Sequence, residues 1–206
     1  MGHYFINDEN LKSEIQEFKV IINEKKFLFK TDNGVFSKGE LDFGTRLLID
    51  TVLKEDIKGY GLDLGCGYGA IGIILNKLKN ISMDMSDVNR RALHLVKKNI
   101  LENECLNIVV IESDGYLNID KKYDFIVSNP PIRVGKEKLY QLIIDSKKHL
   151  NEDGKIYLVI RKEQGAKTFI RDMENYYKIE VLEKKKGFFI ICLKSCWLLL
   201  KNVLLI

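Results

Sequence analysis

The chain has 206 residues, 46% hydrophobic and 30% charged, which is the composition of an ordinary soluble globular protein with room for one domain and a sizeable core. Its net charge of +4 permits a polyanionic partner without requiring one. The four cysteines lack CxxC or paired metal-ligand spacing, and the start MGHYFINDEN is polar, so the sequence predicts free thiols, no metal site and a cytoplasmic location.

Residues 1–30 are predicted to form a small N-terminal cap. Two apolar stretches of strand-like composition flank the polar segment 23–26, a pattern that indicates a β-hairpin. Asn33-Gly34 is a second turn signal. A helix is then predicted over 45–54, where apolar residues recur at helical spacing.

The stretch GLDLGCGYGAIG, from Gly61 to Gly72, places glycines at alternate positions between an apolar strand and an apolar helix. Because glycine has no Cβ, the backbone can turn sharply and a ligand can lie against it at the carboxyl edge of a parallel sheet. Gly67-x-Gly69-x-x-Gly72 fits the dinucleotide fingerprint, and Asp87 follows at about 20 residues, where a ribose-binding acid is expected. That match alone is weak evidence, and a glycine-rich turn without a ligand is the alternative.

Acidic residues end the next two predicted strands. The segment 81–87 alternates apolar and polar residues, and a carboxylate at its end, Asp87, can accept hydrogen bonds from both ribose hydroxyls. Asp84 is the rival position and is expected to be a solvated acid. After the strand 108–111 comes Asp114-Gly115, for which an Asx turn is the structural alternative.

The only two prolines of the chain, Pro130 and Pro131, directly follow Asn129 at the end of an apolar strand. Proline fixes φ and restricts the preceding residue, so Asn-Pro-Pro predicts a rigid loop in which the Asn129 side chain and a backbone carbonyl point to one place. Two acceptors on the hydrogens of an sp² amine favour the pyramidal geometry that exposes its nitrogen lone pair. A purely structural turn is the alternative.

The last third of the sequence predicts a helix over 138–150, a turn over 151–154, a strand over 155–160, a helix opening at 164–167 and a hairpin over 179–191. The basic segments 161–167 and 184–187 are expected to be solvated turns, with contact to RNA phosphates as the alternative. The apolar tail 195–206 is interrupted by Lys201 and falls short of the roughly 20 residues that span a bilayer.

These motifs resemble those of the class I methyltransferases that use S-adenosylmethionine. Asp63-x-Gly65-x-Gly67-x-Gly69 is similar to their first motif, and Asn129-Pro-Pro is similar to motif IV of the amino-methyltransferases. The segments 32–38 and 41–48 resemble the small-subunit ribosomal RNA guanine-N2 methyltransferases of the RsmC type. Ile132 also fits that branch, because enzymes acting on protein glutamine or adenine tend to carry Tyr or Phe there.

The resemblance implies an α/β fold with a Rossmann-like, seven-stranded and mostly parallel sheet. An antiparallel C-terminal hairpin and helices on both faces complete it. The implied organisation is a cap over 1–30, a methyltransferase domain over 31–194 and a tail of unknown role over 195–206.

The resemblance also implies a cofactor, S-adenosylmethionine, and the residues that bind it. The segment around Phe36 and the Gly44-Thr45 turn would close over the cofactor, Asp87 would bind the ribose, and Asp114 would accept from the adenine amine. The predicted cofactor-binding residues are Phe36, Gly44, Thr45, Asp63, Gly65, Cys66, Gly67, Gly69, Asp87, Asp114, Gly115 and Asn129. The predicted catalytic residues are Asn129, Pro130, Pro131 and Ile132.

The predicted activity is methylation of the exocyclic N2 amine of a guanine in small-subunit ribosomal RNA. The expected partner is ribosomal RNA or the small ribosomal subunit, with no membrane and no metal, and the oligomeric state is left open. Catalysis is expected to rest on positioning and desolvation. One alternative is an amino-methyltransferase acting on protein glutamine or adenine, and another is a catalytically silent RNA-binding subunit, against which retention of Asn129 argues.

Overall fold

A computed structural model describes residues 12–130 and 135–195 of the chain, so Pro131, Ile132 and all of the tail but Ser195 lie outside the described residues. The strands are β1 (Gln16–Ile22), β2 (Lys25–Thr31), β3 (Tyr60–Leu64), β4 (Ser82–Asp87), β5 (Ile108–Glu112), β6 (Tyr123–Ser128), β7 (Leu150–Arg161), β8 (Tyr177–Lys185) and β9 (Phe188–Ser195). The α-helices are α1 (Phe43–Val52), α2 (Ala70–Lys79), α3 (Arg90–Glu102), α4 (Lys136–Asp145) and α5 (Ala166–Met173).

Seven strands form one sheet in the order β5-β4-β3-β6-β7-β9-β8, and β1 and β2 form a separate hairpin. The pairs from β5 to β7 are parallel, whereas β9 is antiparallel to both β7 and β8. This arrangement confirms the predicted α/β fold. From β3 the chain builds outward to β4 on one side and later to β6 on the other, which creates a crevice at the carboxyl ends of these strands.

Both faces of the sheet are buried, each under its own helices. Helices α1, α2 and α3 and the β1–β2 hairpin cover one face, and α4 and α5 cover the other. Strand β7 shows the alternation that serves both faces: Tyr157 and Val159 belong to the first core cluster, and Ile156, Leu158 and Ile160 belong to the second. No helix of the described residues is long and apolar enough to cross a membrane.

The predicted turn over 151–154 is wrong, because β7 begins at Leu150 and continues through that segment. The register with β6 shifts there, since Tyr123 pairs with Leu150 but Phe125 pairs with Lys155. The polar residues Asn151-Glu-Asp-Gly154 therefore form an irregularity inside the strand instead of ending it. The helix predicted over 138–150 also differs, since it runs over 136–145 and a 3₁₀ turn follows at Ser146–His149.

The solvated position expected for Asp84 is also wrong. Asp84 is fully buried, and it accepts hydrogen bonds from the hydroxyls of Tyr60 and Tyr123 and from the Lys121 ammonium (Nζ to Oδ2, 3.2 Å). A buried carboxylate is stable only with such partners. Tyr60 and Tyr123 come from β3 and β6, the next two strands on one side of β4, and Lys121 comes from the segment before β6, so Asp84 links parts of the fold and lies outside the crevice.

Candidate active site

A cavity of about 630 Å³ opens at the carboxyl ends of β3, β4, β5 and β6. Its walls are formed by residues at these strand ends, by the start of α1, by the end of β7 and by the start of β9. Predicted site residues that line it are Phe36, Thr45, Gly65, Cys66, Gly67, Asp87, Asp114, Gly115, Asn129 and Pro130. Gly44, Asp63 and Gly69 lie next to the cavity but do not line it.

The glycine turn between β3 and α2 forms the floor of the cavity. Gly65, Gly67 and Gly69 have φ of 70°, 55° and 94°, values in the left-handed region that favours glycine. The turn is closed by Gly69 N–H, which donates to Cys66 O (2.9 Å). A Cβ added to Gly67 would meet no atom within 4 Å, so the backbone at this point faces open space in the cavity.

Asp63 supports this turn from below. Its Oδ2 accepts from Gly72 N–H (2.8 Å), which ties the first turn of α2 to β3. Its Oδ1 is buried and accepts no hydrogen bond from the described residues. The pKa of Asp63 is raised to about 7, chiefly by burial and with a smaller contribution from the nearby Asp87 charge, against the lowering effect of the hydrogen bond from Gly72 N–H. Asp63 thus acts on the cavity through the position of the glycine turn.

Asp87, at the end of β4, lines the cavity as the sequence predicts. Its Oδ2 accepts from Gly67 N–H (2.8 Å) and its Oδ1 accepts from Asn89 N–H (2.9 Å). Burial raises the pKa of this carboxyl, while these backbone hydrogen bonds act to lower it. The carboxylate therefore joins the glycine turn to the start of α3 and presents its remaining lone pairs to the cavity.

Two further polar residues of the wall are not among the predicted site residues, although the resemblance places the Asp42-x-Gly44-Thr45 turn over the cofactor. Asp42 Oδ2 and Ser86 Oγ are buried, line the cavity and have no hydrogen-bond partner among the described residues. The other oxygen of Asp42 caps α1 by accepting from Gly44 N–H (2.9 Å) and Thr45 N–H (3.1 Å). The capping position before Gly44-Thr45 was a signal for Asp42, whereas the sequence held none for Ser86.

Asn129 and Thr45 meet across the cavity although they are 84 residues apart. Asn129 Nδ2 donates to Thr45 Oγ1 (2.9 Å), so one side of the carboxamide is fixed. Asn129 Oδ1 accepts no hydrogen bond from any residue in 12–130 or 135–195. Since Asn129 and Pro130 both line the cavity, the amide oxygen is an available acceptor at its wall.

The segment after β2 covers one side of the opening and carries Phe36, whose side chain is 48% exposed. Asp32 anchors this segment by accepting from Ser13 Oγ (2.7 Å) and from Arg91 Nη1 (3.3 Å). Asn89 Nδ2 donates to Gly34 O (2.9 Å) and thereby links the segment to the end of β4.

On the opposite side of the opening Asp114 is exposed and pairs with Lys138 (Nζ to Oδ1, 3.1 Å).

The family model described as "Methyltransferase small domain" matches residues 26–192. The chain is 40% identical over 197 residues to the uncharacterized protein YbxB of Bacillus subtilis (strain 168), covering 94% of this chain and 98% of that one. It is 38% identical over 151 residues to the ribosomal RNA small subunit methyltransferase C of Haemophilus influenzae (strain PittGG), covering 71% of this chain and 45% of the relative. The chain thus spans less than half the length of that relative.

Solved structures share the fold. A T. thermophilus 16S rRNA N2 G1207 methyltransferase (RsmC), in complex with AdoMet and guanosine, superposes with a TM-score of 0.79 at 22% identity, covering 90% of this chain and 52% of that one. A ribosomal protein L11 methylase from Lactobacillus delbrueckii subsp. bulgaricus gives a TM-score of 0.64 at 25% identity, covering 78% of this chain and 88% of that one. These superpositions show that the overall fold is shared.

Proposed function

Because the chain belongs to the methyltransferase small domain family, we propose that it methylates the exocyclic N2 amine of a guanine in small-subunit ribosomal RNA, with S-adenosylmethionine as the methyl donor. The relatives named for ribosomal RNA methylation support this assignment. The reaction would take place in the cytoplasm on ribosomal RNA or the small ribosomal subunit.

The observation that carries the proposal is the hydrogen bond from Asn129 Nδ2 to Thr45 Oγ1. With its donor side bound to Thr45, the carboxamide presents an acceptor oxygen at the cavity wall. Pro130 beside it lines the cavity too and offers a carbonyl oxygen without a competing N–H. A pair of acceptors suits an amine that carries two hydrogens and would not suit a carbonyl or phosphate group.

The residues present fit the methyl donor. S-adenosylmethionine needs hydrogen-bond acceptors for its ribose hydroxyls, for the exocyclic amine of its adenine and for the ammonium group of its methionine part. The cavity supplies Asp87 at the end of β4, Asp114 at the end of β5, and the unpaired oxygen of Asp42 beside α1. The space over Gly67 is open, so a ligand can lie against the backbone there, whereas a side chain at this position would project into that space. A cavity of about 630 Å³ is within the usual range for small-molecule sites.

S-adenosylmethionine supplies, when bound, an electrophilic methyl group on a sulfonium centre. In the proposed mechanism Asn129 Oδ1 accepts one hydrogen of the target amine, and the carbonyl at Pro130 accepts the other. This grip holds the nitrogen in a pyramidal geometry with its lone pair facing the cavity floor. No strong general base is needed, because the nitrogen becomes acidic as its bond to the methyl carbon forms and the carbon–sulfur bond breaks. One of its two protons then leaves to solvent, so the contribution of these residues is positioning.

Two other functions remain as alternatives to this proposal. Methylation of protein glutamine or of adenine would also use Asn-Pro-Pro acceptors, and the fold is shared with a ribosomal protein L11 methylase. A silent RNA-binding subunit would not require the Asn129 carboxamide to be oriented. The hydrogen bond to Thr45 therefore favours an active enzyme over that second alternative.

The test compares Asn129→Ala with wild type on ribosomal RNA, naked and in assembled small subunits, using labelled S-adenosylmethionine followed by nucleoside analysis. We expect label on guanine N2 with the wild type and a loss of about 100-fold or more with the variant, because an interaction made in the transition state is removed. Calorimetry is expected to show that both proteins bind S-adenosylmethionine and its demethylated product, but not NAD.

Asn175→Ala is the matched control, because Asn175 is exposed and its side chain bonds only the nearby Asp172 carbonyl. It should retain full activity. Label on adenine or on protein would replace the guanine assignment, and an Asn129 variant as active as wild type would exclude the proposed mechanism.

A further inference from the structure

Three neighbouring strands place a cation, an aromatic ring and a second cation side by side at the mouth of the cavity. Arg161 of β7 pairs with Phe188 of β9, and Phe188 pairs with Lys185 of β8. Residues directly opposite each other on antiparallel strands point to the same face of the sheet. Because Arg161 and Phe188 both line the cavity, Lys185 stands on the cavity side of the sheet.

The turn between β8 and β9 adds another cation, Lys186, and the start of α1 adds a second ring, Phe43. The Phe43 and Phe188 ring centroids are 5.4 Å apart with the planes tilted by 50°. The Lys186 ammonium lies 4.9 Å from the Phe43 centroid, and the Arg161 guanidinium lies 4.7 Å from the Phe188 centroid. Lys162 N–H donates to Gly187 O (2.7 Å), which ties this turn to the end of β7. The cations and rings are thus held at one place.

The absence of a side chain at Gly44 makes space for the Phe188 ring. A Cβ on Gly44 would lie 2.6 Å from Phe188 Cε1, which is closer than atoms can approach. The Phe188 ring therefore rests directly against the first turn of α1, whose Thr45 bonds Asn129. Although Gly44 does not line the cavity, its lack of a side chain lets the ring pack against the helix turn that carries Thr45, the partner of the proposed catalytic asparagine.

The cations at the mouth are accessible to a ligand. Lys185 and Lys186 are exposed. The ion pair of Arg161 with Glu163 is long, 3.9 Å between Nε and Oε2, which leaves the guanidinium able to contact a phosphate. By contrast, Lys184 pairs with Phe189 on the opposite face, where its ammonium lies 5.1 Å from the Phe189 centroid.

We propose that this basic aromatic face, formed by Phe43, Arg161, Lys185, Lys186 and Phe188, binds single-stranded RNA on either side of the target base. Aromatic rings stack on bases of any sequence, while lysine and arginine contact the phosphates between them. A base inside a duplex cannot reach the cavity unless it is extruded, so the bound strand is unpaired there. The inference rests on the proposed function, since it assigns the path by which the RNA reaches Asn129.

The test measures binding of a fluorescein-labelled single-stranded RNA of about 12 nucleotides, long enough to cover such a groove. Fluorescence anisotropy is recorded with the demethylated cofactor present, so that no turnover occurs. For the double variant Lys185→Ala/Lys186→Ala we expect weaker binding and a salt dependence of log K that is shallower by about 1.4, at about 0.7 per phosphate contact on a single strand. Phe188→Leu should weaken binding about 10-fold at every salt concentration.

Two matched controls separate this face from the general positive charge. Lys184→Ala removes a lysine one residue away on the opposite face of the sheet. Lys25→Ala/Lys26→Ala removes two adjacent exposed lysines from the β1–β2 hairpin, beside the carboxyl ends of α2 and α3 and far from the cavity. Both controls should bind the RNA as wild type does, with the same salt dependence.

Equal losses in the controls and in the Lys185/Lys186 variant would overturn the inference, as would an absence of RNA binding by the wild type. The binding assay needs no methyl transfer, so the two proposals can fail separately. RNA bound through this face without label on guanine N2 would refute the proposed function alone. Label on guanine N2 with unchanged binding by the face variants would refute the inference alone.

Discussion

The hydroxyl of Thr45 holds the Asn129 carboxamide in one of its two orientations. Thr45 is buried, and its Oγ1 is the acceptor for Asn129 Nδ2. The sequence predicts Thr45 as a cofactor-binding residue, and the geometry adds a positioning role toward Asn129. The two roles make different predictions for substitutions that keep the shape of the side chain.

Thr45→Val should lower kcat about 10-fold while the Kd for S-adenosylmethionine stays nearly unchanged, because the carboxamide loses one hydrogen bond and its fixed orientation. Thr45→Ser keeps the hydroxyl and should restore most of the turnover. Single-turnover methylation and calorimetry check both variants. A valine variant with weakened cofactor binding and unchanged single-turnover rate would show that Thr45 contacts the cofactor instead.

Asp63 couples the stability of the glycine turn to pH. Its pKa is raised from 3.8 to about 7 in the folded protein, chiefly by burial. Between these values the folded carboxyl keeps a proton that the unfolded chain has released, so the free energy of unfolding falls as pH rises. Above the folded pKa both states are ionised, and the loss is complete.

Asp63→Asn removes this titration while its amide oxygen can still accept from Gly72 N–H. Between about pH 4 and pH 7 we expect the free energy of unfolding to fall less steeply with pH in the variant than in the wild type. The two slopes should differ by about 1.4 kcal/mol for each pH unit. Urea unfolding at several pH values measures the difference. Parallel curves for variant and wild type would mean that Asp63 has a normal pKa in the folded protein.

At the scale of elements, the turn between β3 and α2 combines backbone strain with an open cavity. Gly67 and Gly165 provide a matched pair, since both have positive φ, 55° and 84°, and a Cβ on either would meet no atom within 4 Å. They differ in position, because Gly67 lines the cavity and Gly165, at the start of α5, does not.

Gly67→Ala and Gly165→Ala should each destabilise the protein by about 1–2 kcal/mol, the usual cost of a left-handed conformation for a residue with a Cβ. Only Gly67→Ala should weaken S-adenosylmethionine binding, by about 10-fold or more, because its methyl group occupies the space proposed for the ligand. Thermal unfolding and calorimetry give the two quantities. Equal cofactor affinity in both variants would place the ligand away from the glycine turn.

At the scale of the whole molecule, two asparagines of α3 dock the N-terminal hairpin. Asn99 Oδ1 accepts from Lys30 N–H (2.8 Å) and its Nδ2 donates to Lys30 O (3.0 Å), and Asn103 makes the same pair of bonds with Leu28 (3.0 and 2.8 Å). Four residues of a helix rise about 6 Å, close to the length of two residues of a strand. The two carboxamides therefore hydrogen-bond to alternate residues of β2, along the edge of that strand that faces away from β1.

Asn99→Ala and Asn103→Ala should each lower the free energy of unfolding by about 1–3 kcal/mol, because buried polar groups of β2 lose their partners. The double variant should lose less than the sum, since detachment at one residue weakens the other. Urea unfolding and hydrogen exchange at Leu28 and Lys30 measure these effects. Leu101→Ala is the control on the same helix, because Leu101 is 78% exposed.

Strictly additive losses without faster exchange at β2 would indicate that the hairpin stays docked. The boundary between cap and methyltransferase domain at residue 30 stays a prediction. The expected coupling between the two asparagines tests whether the hairpin and the domain behave as one unit. Phe27 and Phe29 are buried in the same core cluster as α1, α2 and α3. We therefore expect the cap and the methyltransferase domain to unfold together.

The sequence by itself determined the features that depend on neighbouring residues. Alternating glycines allow one kind of strand-to-helix turn, and an acid at the end of an alternating segment lies at the carboxyl edge of the sheet, as Asp87 does. Adjacent prolines likewise mark the end of β6. The alternation of strands and helices that these patterns predict admits few topologies, and the family resemblance of the motifs implied the seven-stranded sheet.

Only the tertiary structure decided which distant residues meet. The burial of Asp84 requires Tyr60 from the adjacent strand β3 and Tyr123 from β6 beyond it, and the orientation of Asn129 requires Thr45. The end of β8 reaches the cavity mouth through pairing across β9. Such contacts join segments far apart in the chain, and their hydrogen bonds form only after the sheet has brought the segments together, so no local spacing predicts them.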